Sequence, residues 1–329
     1  MNSIEKLEAI LSDKQKLNLS ILPTRIHYLE NISGYFSRTI YCMRDDLTGF
    51  GFGGNKTRKL DYLMYEAKTK GADCIVTFGS KQSNWCRITA AAGSVCGIEV
   101  HLILEGEKPE ALTGNLVLDS LLGAKISYIN SDSDEFVVSY ALDYARKLEE
   151  QGKRPYFLPV GGSIPTGTLG YINAFLEILQ FCRARSVDFD RIVVASGSAG
   201  TQAGLVAGQA VSGWKGQISG ISVGRKRKEQ EDMVYGLARD TLKDLNIGTE
   251  IERSSVKVED AYFGEAYRSN TVEAGNAIRL FAGLEGIFLD EVYTGKAAAG
   301  LAGMIKKGEV SDNESILFIH TGGAVQLFE

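Results

Sequence analysis

Short apolar runs alternate with amphipathic segments along most of the chain, and this alternation constrains the fold more than any other feature. Apolar residues between the runs recur with the 3.6-residue spacing of helices, as at Leu60, Leu63, Met64 and Ala67. The runs predicted as strands cover residues 74–78, 100–104, 125–129, 155–160, 191–195, 218–223 and 316–320. Because strands that alternate with helices form parallel sheets, we predict an α/β fold with two open, twisted, mostly parallel sheets and helices on both faces.

The chain has 329 residues, a length that suits two domains or one large α/β unit with a lobed shape. Residues 57–160 are predicted to form a small α/β domain, inserted into a large domain made of residues 1–56 and 161–329. A ligand site is expected in the cleft between the two domains. The expected element ends are an N-cap at Asn55, helices over 85–96, 113–122 (closed by Gly123) and 134–151, and a loop at 161–168 before a helix that ends near Arg185.

The composition argues against several classes of function. The net charge is −5, whereas nucleic-acid binding favours a basic surface, so we expect no nucleic-acid partner. The basic run at residues 225–228 is interpreted as a solvated helix start. No apolar run has the length that spans a bilayer, so no membrane partner is expected either. The five cysteines form no C-x-x-C pair, which favours reduced thiols in a cytoplasmic chain, and with only three histidines we expect no metal site.

The segment from Ser196 to Thr201, with the sequence SGSAGT, follows a predicted strand and opens a helix. Small residues let backbone N–H groups approach an anion, and the helix N-terminus favours negative charge. The segment is therefore either a phosphate-binding loop or a tight strand-to-helix turn. Its spacing is not G-x-G-x-x-G, so it lacks the dinucleotide fingerprint.

Lys56 follows two glycines at another predicted helix start, in the sequence Gly53-Gly54-Asn55-Lys56. The positive end of the helix dipole there would lower the lysine pKa, and a lysine that is partly neutral can form a Schiff base with an aldehyde. The structural alternative is a solvated lysine at a helix end.

A third candidate, Gln82-Ser83-Asn84, follows the strand at 74–78, at the usual ligand position of an α/β sheet. Its hydroxyl and amide groups suit a carboxylate or a phenolate oxygen, although simple helix capping is the structural alternative.

Together these segments resemble the pyridoxal-phosphate (PLP) dependent D-cysteine desulfhydrase and 1-aminocyclopropane-1-carboxylate (ACC) deaminase family, which has the tryptophan-synthase β-like fold, fold type II. The resemblance covers nearly the whole chain and implies PLP in the cleft between the domains and a homodimer. The motifs that carry it are Arg44 to Gly49, Gly53 to Leu60, Gln82 to Asn84, Pro159 to Ser163, Leu169 to Tyr171, Ser196 to Gly204, Val292 to Lys296 and His320 to Gly323.

The resemblance implies a role for each matching residue. Lys56 would bind PLP covalently and later move the Cα proton of a small amino-acid substrate. Ser83 would bind the substrate carboxylate or assist proton transfer, and Asn84 would contact the ring hydroxyl of PLP. Tyr293 would lie against the pyridine ring, with Tyr267 facing the substrate. The residues that would cradle the phosphate are Gly197, Ser198, Ala199, Gly200 and Thr201.

Two positions distinguish members within the family. ACC deaminases typically place Glu where this chain has Thr294 and Leu where it has Thr321, so both threonines indicate the desulfhydrase side. A carboxylate beside the pyridine nitrogen would favour its protonated form, and threonine supplies no such charge. We therefore predict β-elimination from a β-substituted alanine such as D-cysteine, which yields pyruvate, ammonia and the leaving group. The alternatives are ACC deaminase, a cysteate-type sulfo-lyase and a PLP-binding protein that has lost catalysis.

Several positions depart from the family pattern on the side predicted to face the substrate, among them Ile164, which replaces the polar residue after the Gly-Gly-Ser motif. Three others are candidate site residues. Trp85 replaces His or Gln, Lys81 replaces an apolar or small residue, and Arg268 follows Tyr267 where the family has Gly. We assign all three to substrate binding, with Lys81 or Arg268 meeting an additional anionic group. The alternative is that the two cationic side chains point to solvent.

Overall fold

The computed structural model describes residues 2–131 and 133–329, and it confirms the α/β prediction. Within the described residues no helix is both long and apolar enough to cross a bilayer. The strands are β1 (Ile26–Tyr28), β2 (Thr39–Arg44), β3 (Cys74–Ser80), β4 (Glu99–Glu105), β5 (Lys125–Ile129), β6 (Pro155–Phe157), β7 (Arg191–Ser196), β8 (Gln217–Ser222), β9 (Lys257–Glu259) and β10 (Ser315–His320). The helices are α1 (Ser3–Ser12), α2 (Glu30–Phe36), α3 (Asn55–Thr69), α4 (Asn84–Cys96), α5 (Gly114–Leu121), α6 (Asp134–Glu150), α7 (Pro165–Arg185), α8 (Gly200–Ser212), α9 (Arg227–Asp244), α10 (Val272–Glu285) and α11 (Thr294–Lys306).

The larger sheet has six strands in the order β1-β2-β10-β7-β8-β9. Its strands are parallel except β1, which runs antiparallel to β2. Every residue of β7 is buried, because helices cover both faces of this central strand. Helices α1, α7, α8 and α9 contribute to the core on one face, and α2, α10 and α11 to the core on the other.

The smaller sheet has four parallel strands in the order β5-β4-β3-β6. Successive residues of β3 point to opposite faces, as the pleat requires. Ile75 therefore packs in the core formed with α3, α4 and α5, whereas Cys74 and Val76 pack in the core formed with α6. The division into domains at residues 57 and 160 remains our proposal.

The structure corrects three details of the sequence prediction. Asn55 is the first residue of α3 and not its cap; the cap position is Gly54, which has no side chain to donate or accept. The predicted loop at 161–168 is shorter than expected, because Pro165 begins α7 and proline is well tolerated at the first helical position. The strand predicted over 155–160 ends at Phe157.

A buried ion network anchors the first turn of α3. Arg58 is 1% exposed and donates to Asp45 Oδ1 at 2.8 Å and to Glu177 Oε1 at 2.9 Å. The hydroxyl of Tyr171, on α7, donates to the other oxygen of Asp45. The start of α3 is therefore held against α7 and against the segment that follows β2.

Candidate active site

The carboxyl ends of parallel strands from both sheets meet at the start of α3. The backbone N–H of Asn55 donates to the carbonyl oxygen of Thr321, just after β10, at 2.9 Å. This contact needs glycine on both sides, because a Cβ on Gly322 would lie 2.8 Å from the Cα of Gly54. The segment that carries Lys56 is thereby fixed against the end of the larger sheet.

Lys56 directs its amine toward Gly161 and Ser198. A Cβ on Gly161 would lie 3.4 Å from Lys56 Nζ and 2.1 Å from Ser198 Oγ, so glycine leaves open the space beside the amine. Burial lowers the pKa of Lys56 to about 8. The direction agrees with the expectation from the sequence, and burial is the cause that the structure shows.

A second lysine lies three residues further along the same helix. Lys59 is fully buried, and its Nζ donates to the carbonyl oxygen of Gly161 at 2.9 Å. A Cβ on Gly200 would lie 2.5 Å from the same Nζ, so this amine lies directly beneath the segment between β7 and α8. Burial, with the nearby charge of Lys56, holds the pKa of Lys59 well below its ordinary value.

The segment between β7 and α8 has the features of an anion-binding loop. Ala199 has a φ of +66°, a left-handed conformation that is uncommon for a residue with a side chain, and it occupies the cap position of α8 without a side-chain hydrogen bond. Backbone N–H groups of the first turn are therefore available to an external acceptor. Asn55 Nδ2 donates to Thr201 Oγ1 at 2.9 Å, which holds the threonine hydroxyl at the same helix end.

These residues fit the phosphate group of PLP. An uncapped helix N-terminus and the buried Lys59 amine both favour a negatively charged ligand. Ser163 Oγ donates to Ser198 Oγ at 2.9 Å, which places two hydroxyl groups at the same edge of the loop. Lys56 Nζ and Ser198 Oγ both lie close to the Cβ position of Gly161, at 3.4 and 2.1 Å. An aldehyde on a ligand whose phosphate binds at Ser198 could therefore reach the Lys56 amine.

Two tyrosines line another side of this region. The hydroxyl groups of Tyr267 and Tyr293 are hydrogen-bonded to each other, and the ring centroids are 6.2 Å apart. A Cβ on Gly197 would lie 3.7 Å from Tyr293 Cε1, so the Tyr293 ring lies next to the predicted phosphate loop. Burial raises the pKa of both phenols, and both therefore remain protonated at neutral pH.

Ser83 and Asn84 begin α4 at the end of β3. Ser83 Oγ accepts a hydrogen bond from Cys86 N at 3.2 Å, so the capping alternative holds for this residue, and its hydroxyl hydrogen remains available to another acceptor. Asn84 Oδ1 accepts from Arg87 Nη1 and from Asn115 Nδ2, each at 3.1 Å. Asn84 Nδ2 lies on the opposite edge of the amide, near Gly323.

Thr294, assigned to the cofactor site from the resemblance, is the first residue of α11. Its side chain is fully buried, and its hydroxyl donates to Asp290 Oδ1 at 2.6 Å. Asp290 also accepts from the backbone N–H groups of Val292 and Tyr293, so its carboxylate fixes the start of α11. Thr321 is 6% exposed and lies beside Gly322 and Gly323 after β10.

The three departures from the family pattern lie in different surroundings. Trp85 is 2% exposed, and its indole N–H donates to Thr77 Oγ1 at 2.7 Å, so it belongs to the core of the smaller sheet. Lys81 Nζ donates to the Glu107 carbonyl at 3.4 Å. Arg268 Nη2 donates to Glu329 Oε2 at 2.5 Å, while its Nη1 is buried with no partner among the described residues.

Sequence reasoning missed several residues around this region. Lys59 could have been found, because it lies three residues after Lys56 and residues i and i+3 share a face of a helix. Arg225 was assigned to a solvated helix start, but α9 begins at Arg227 and Arg225 Nη1 donates to the Gly197 carbonyl at 3.2 Å. Arg87 and Asn115 act through hydrogen bonds to distant segments, for which the sequence gives no signal. The Asp290 carboxylate bonds to residues that follow it up to Thr294, and this local pattern could have been recognised.

Comparisons with known proteins agree on one family. A family model described as pyridoxal-phosphate dependent enzyme matches residues 17–322. A provisionally named ACC deaminase of Pyrococcus furiosus is 42% identical over 318 residues, which is 97% of this chain and 94% of that protein. A protein of Pyrococcus horikoshii with the same provisional name is 40% identical over 318 residues, again 97% of this chain and 94% of that protein.

Solved structures show the same relationship. A crystal structure of an ACC deaminase homologue has a TM-score of 0.91 at 38% identity and covers 98% of this chain and 96% of its own. The processed form of threonine deaminase isoform 2 from Solanum lycopersicum has a TM-score of 0.68 at 16% identity, with 98% and 84% covered, and this likeness shows the fold alone. The family match, the curated relatives and the fold confirm the expected fold type II and cofactor, and the chain belongs to the family of pyridoxal-phosphate dependent enzymes.

Proposed function

We propose that this protein is a PLP-dependent enzyme that releases ammonia and a 2-oxo acid from a small amino acid. The observation that carries the proposal is the placement of the Lys56 amine, with its pKa lowered to about 8, beside the uncapped start of α8 and the buried Lys59. One site thus offers a reactive amine and an anion cradle, the two features that an aldehyde with a phosphate group requires.

When bound, PLP supplies an aldehyde for amines and an electron sink for negative charge at the substrate Cα. The protein supplies the remaining functions. Lys56 holds the cofactor and, once displaced by the substrate amine, is the base that removes the Cα proton. The Ser83 hydroxyl and the start of α4 bind the substrate carboxylate, and the Tyr267–Tyr293 pair lines the substrate side.

For the reaction itself we favour β-elimination. The Cα–H and Cβ–X bonds of a β-substituted alanine break, the substituent leaves with the electron pair of its bond, and water releases pyruvate and ammonia. Thr294 supports this choice, because its hydroxyl supplies no charge and is already bonded to Asp290. A good β-leaving group, such as the sulfur of D-cysteine, needs less carbanion stabilisation than the opening of a cyclopropane ring.

ACC deamination is the second candidate. The provisional names of the Pyrococcus relatives and the name of the similar crystallised protein point to it, and they support it more directly than they support a desulfhydrase. In that reaction ACC and water give 2-oxobutyrate and ammonia, so the two candidates differ in product.

The test is to load the purified protein with PLP and to supply D-cysteine, L-cysteine, ACC and cysteate in turn. We expect pyruvate and ammonia from one β-substituted alanine, and no product from the Lys56→Ala variant. If ACC is the only substrate converted, and 2-oxobutyrate is its product, the second candidate is correct and β-elimination is not the reaction. A loaded protein that converts none of these substrates would favour a PLP-binding protein that has lost catalysis.

An additional anionic group on the substrate is a further part of the proposal. Arg268 supports it, because its buried Nη1 lacks a protein acceptor among the described residues and its Nη2 already binds a carboxylate, that of Glu329. Arg268→Ala should then raise KM for cysteate much more than KM for D-cysteine, and Lys81→Ala is the parallel test for the other cation. Equal losses for both substrates would remove the anionic-group proposal. The homodimer remains a proposal from the resemblance, to be measured by light scattering.

A further inference from the structure

A buried polar network binds the Oδ1 edge of the Asn84 amide. Its members are Arg87, one turn along α4, and Asn115, near the start of α5; they are 1% and 0% exposed. Because both side chains are buried, neither can contact a ligand directly, and Asn84 is the shared neighbour through which both can influence one. The hydrogen bonds of this network indicate that the two residues do more than fill the core.

The hydrogen bonds of this network can be assigned in only one way. Arginine is purely a donor, and Arg87 Nη1 donates both to Asn115 Oδ1 at 2.8 Å and to Asn84 Oδ1 at 3.1 Å. The other edge of the Asn115 amide faces the backbone carbonyl of Gln82, which is purely an acceptor, at 2.8 Å from Asn115 Nδ2. The orientation of the Asn115 amide is therefore fixed at both edges.

Asn115 in turn fixes the orientation of Asn84. Asn115 Nδ2 also donates to Asn84 Oδ1 at 3.1 Å, so this oxygen receives two hydrogen bonds. A rotated Asn84 amide would place its own N–H groups against two donors. Asn84 Nδ2 is thereby held toward Gly323, where it lies 3.3 Å from the position that a Cβ would occupy.

The same guanidinium connects Asn84 to the lysine segment. Arg87 Nη2 donates to the carbonyl oxygen of Gly53 at 3.2 Å, three residues before Lys56. Its positive charge lies directly behind the Asn84 amide, where it favours negative charge on whatever Asn84 Nδ2 donates to.

We propose that Arg87 and Asn115 are positioning residues that hold the N–H edge of Asn84 toward the cleft and so select an anionic oxygen of the bound cofactor ring. This inference rests on the proposed binding of PLP at Lys56. It assigns no catalytic step to Arg87 or Asn115, which act through Asn84.

The test uses the visible absorption of the PLP-loaded protein, titrated with pH. Asn115→Asp replaces one of the two donors to Asn84 Oδ1 by a carboxylate oxygen, and this acceptor favours the Asn84 amide turned with its N–H groups toward residue 115 and its oxygen toward the bound cofactor. The ring oxygen of the cofactor then loses a donor, and this loss alone should raise the pH midpoint of the absorption change by about one unit.

The new carboxylate also acts through space, and a double-mutant cycle separates this effect. The shift caused by Asn115→Asp is measured again in the Asn84→Ala background, where only the through-space part remains. We expect the shift to be about one unit larger with Asn84 present. If Asn115→Asp does not fold, the neutral Asn115→Leu takes its place in the same cycle, with a smaller shift of the same sign.

Thr89→Val is the matched control. Thr89 is on the same helix and fully buried, and its hydroxyl has no partner among the described residues, so its loss should leave the midpoint unchanged. Equal shifts with and without Asn84 would overturn the positioning role while leaving PLP binding intact. A wild-type protein that takes up PLP without any visible band would overturn the proposed function as well.

Discussion

Lys56 and Lys59 approach Gly161 from different sides: Lys59 Nζ donates to its carbonyl oxygen at 2.9 Å, and a Cβ on Gly161 would lie 3.4 Å from Lys56 Nζ. One glycine thus separates the amine proposed to hold the cofactor from the amine proposed to bind its phosphate. The roles of the two lysines can therefore be tested separately by mutation.

Gly161→Ala should impair cofactor binding. The new Cβ would lie 2.1 Å from Ser198 Oγ, and the φ of +69° is strained for alanine. We expect a loss of PLP affinity of about tenfold or more, since about 1.4 kcal/mol corresponds to tenfold. Gly152→Ala is the control, because Gly152 also has a positive φ, of +84°, but nothing lies within 4 Å of its Cβ position. Equal affinities of the two variants for PLP would show that the space beside Lys56 is not used.

Lys59→Met should weaken binding of the phosphate and leave the aldehyde reaction intact. A hydrogen bond to a charged group contributes on the order of 1.5–3 kcal/mol, so PLP affinity should fall roughly 10- to 100-fold. Affinity for pyridoxal, which lacks the phosphate, should change little. Equilibrium titrations with both ligands measure the difference, and Lys68→Met, at the exposed end of the same helix, is the control. A parallel loss for pyridoxal would contradict the phosphate assignment.

Covalent uptake of PLP by the cofactor-free protein should depend on pH in a defined way. Only the neutral amine reacts, so the rate rises as pH increases through the pKa of Lys56. Burial lowers this pKa to about 8, and we expect the half-maximal rate near that pH instead of near the ordinary 10.5. Stopped-flow absorbance across a pH series measures the midpoint. A midpoint at the ordinary value would show that Lys56 is solvated in the cofactor-free protein.

Arg58→Met should destabilise the protein, although Arg58 is not itself a residue of the proposed site. It leaves the buried carboxylates of Asp45 and Glu177 without their cation, and breaking such a pair costs about 3–5 kcal/mol. Urea denaturation should show this loss, whereas Arg239→Met, which removes an exposed pair with Asp240, should change little. An unchanged urea midpoint for Arg58→Met would mean that the network does not anchor α3.

The strand pattern of the fold could be predicted because burial on both faces leaves a direct mark on the sequence. β5 has the predicted bounds, 125–129, and β3 and β4 extend the predicted runs by one or two residues. Short edge strands such as β1 and β9 were missed, since three residues are too few to show a periodicity. The start of α7 was placed too late because the glycines before Pro165 looked like a continuing loop.

The candidate site could be predicted only where chemistry follows from local sequence. Lys56 and the segment 197–201 are recognisable because glycine and small residues surround them at helix starts. The burial of Trp85 in the core of the smaller sheet and the burial of the Thr294–Asp290 pair depend on how the helices pack onto the sheets. Residue type and spacing carry no information about either.

The pairing of β2 with β10, and the bond from Asn55 to Thr321, impose an order of events on biosynthesis. A ribosome makes the lysine segment well before β10, the strand that completes its surroundings, with an interval on the order of 10–50 s at about 5–20 residues per second. We therefore expect the nascent chain to lack a formed cofactor site until β10 has emerged, and to capture PLP only after that. Stalled or incomplete chains would expose Lys56 to aldehydes without the cradle that selects among them.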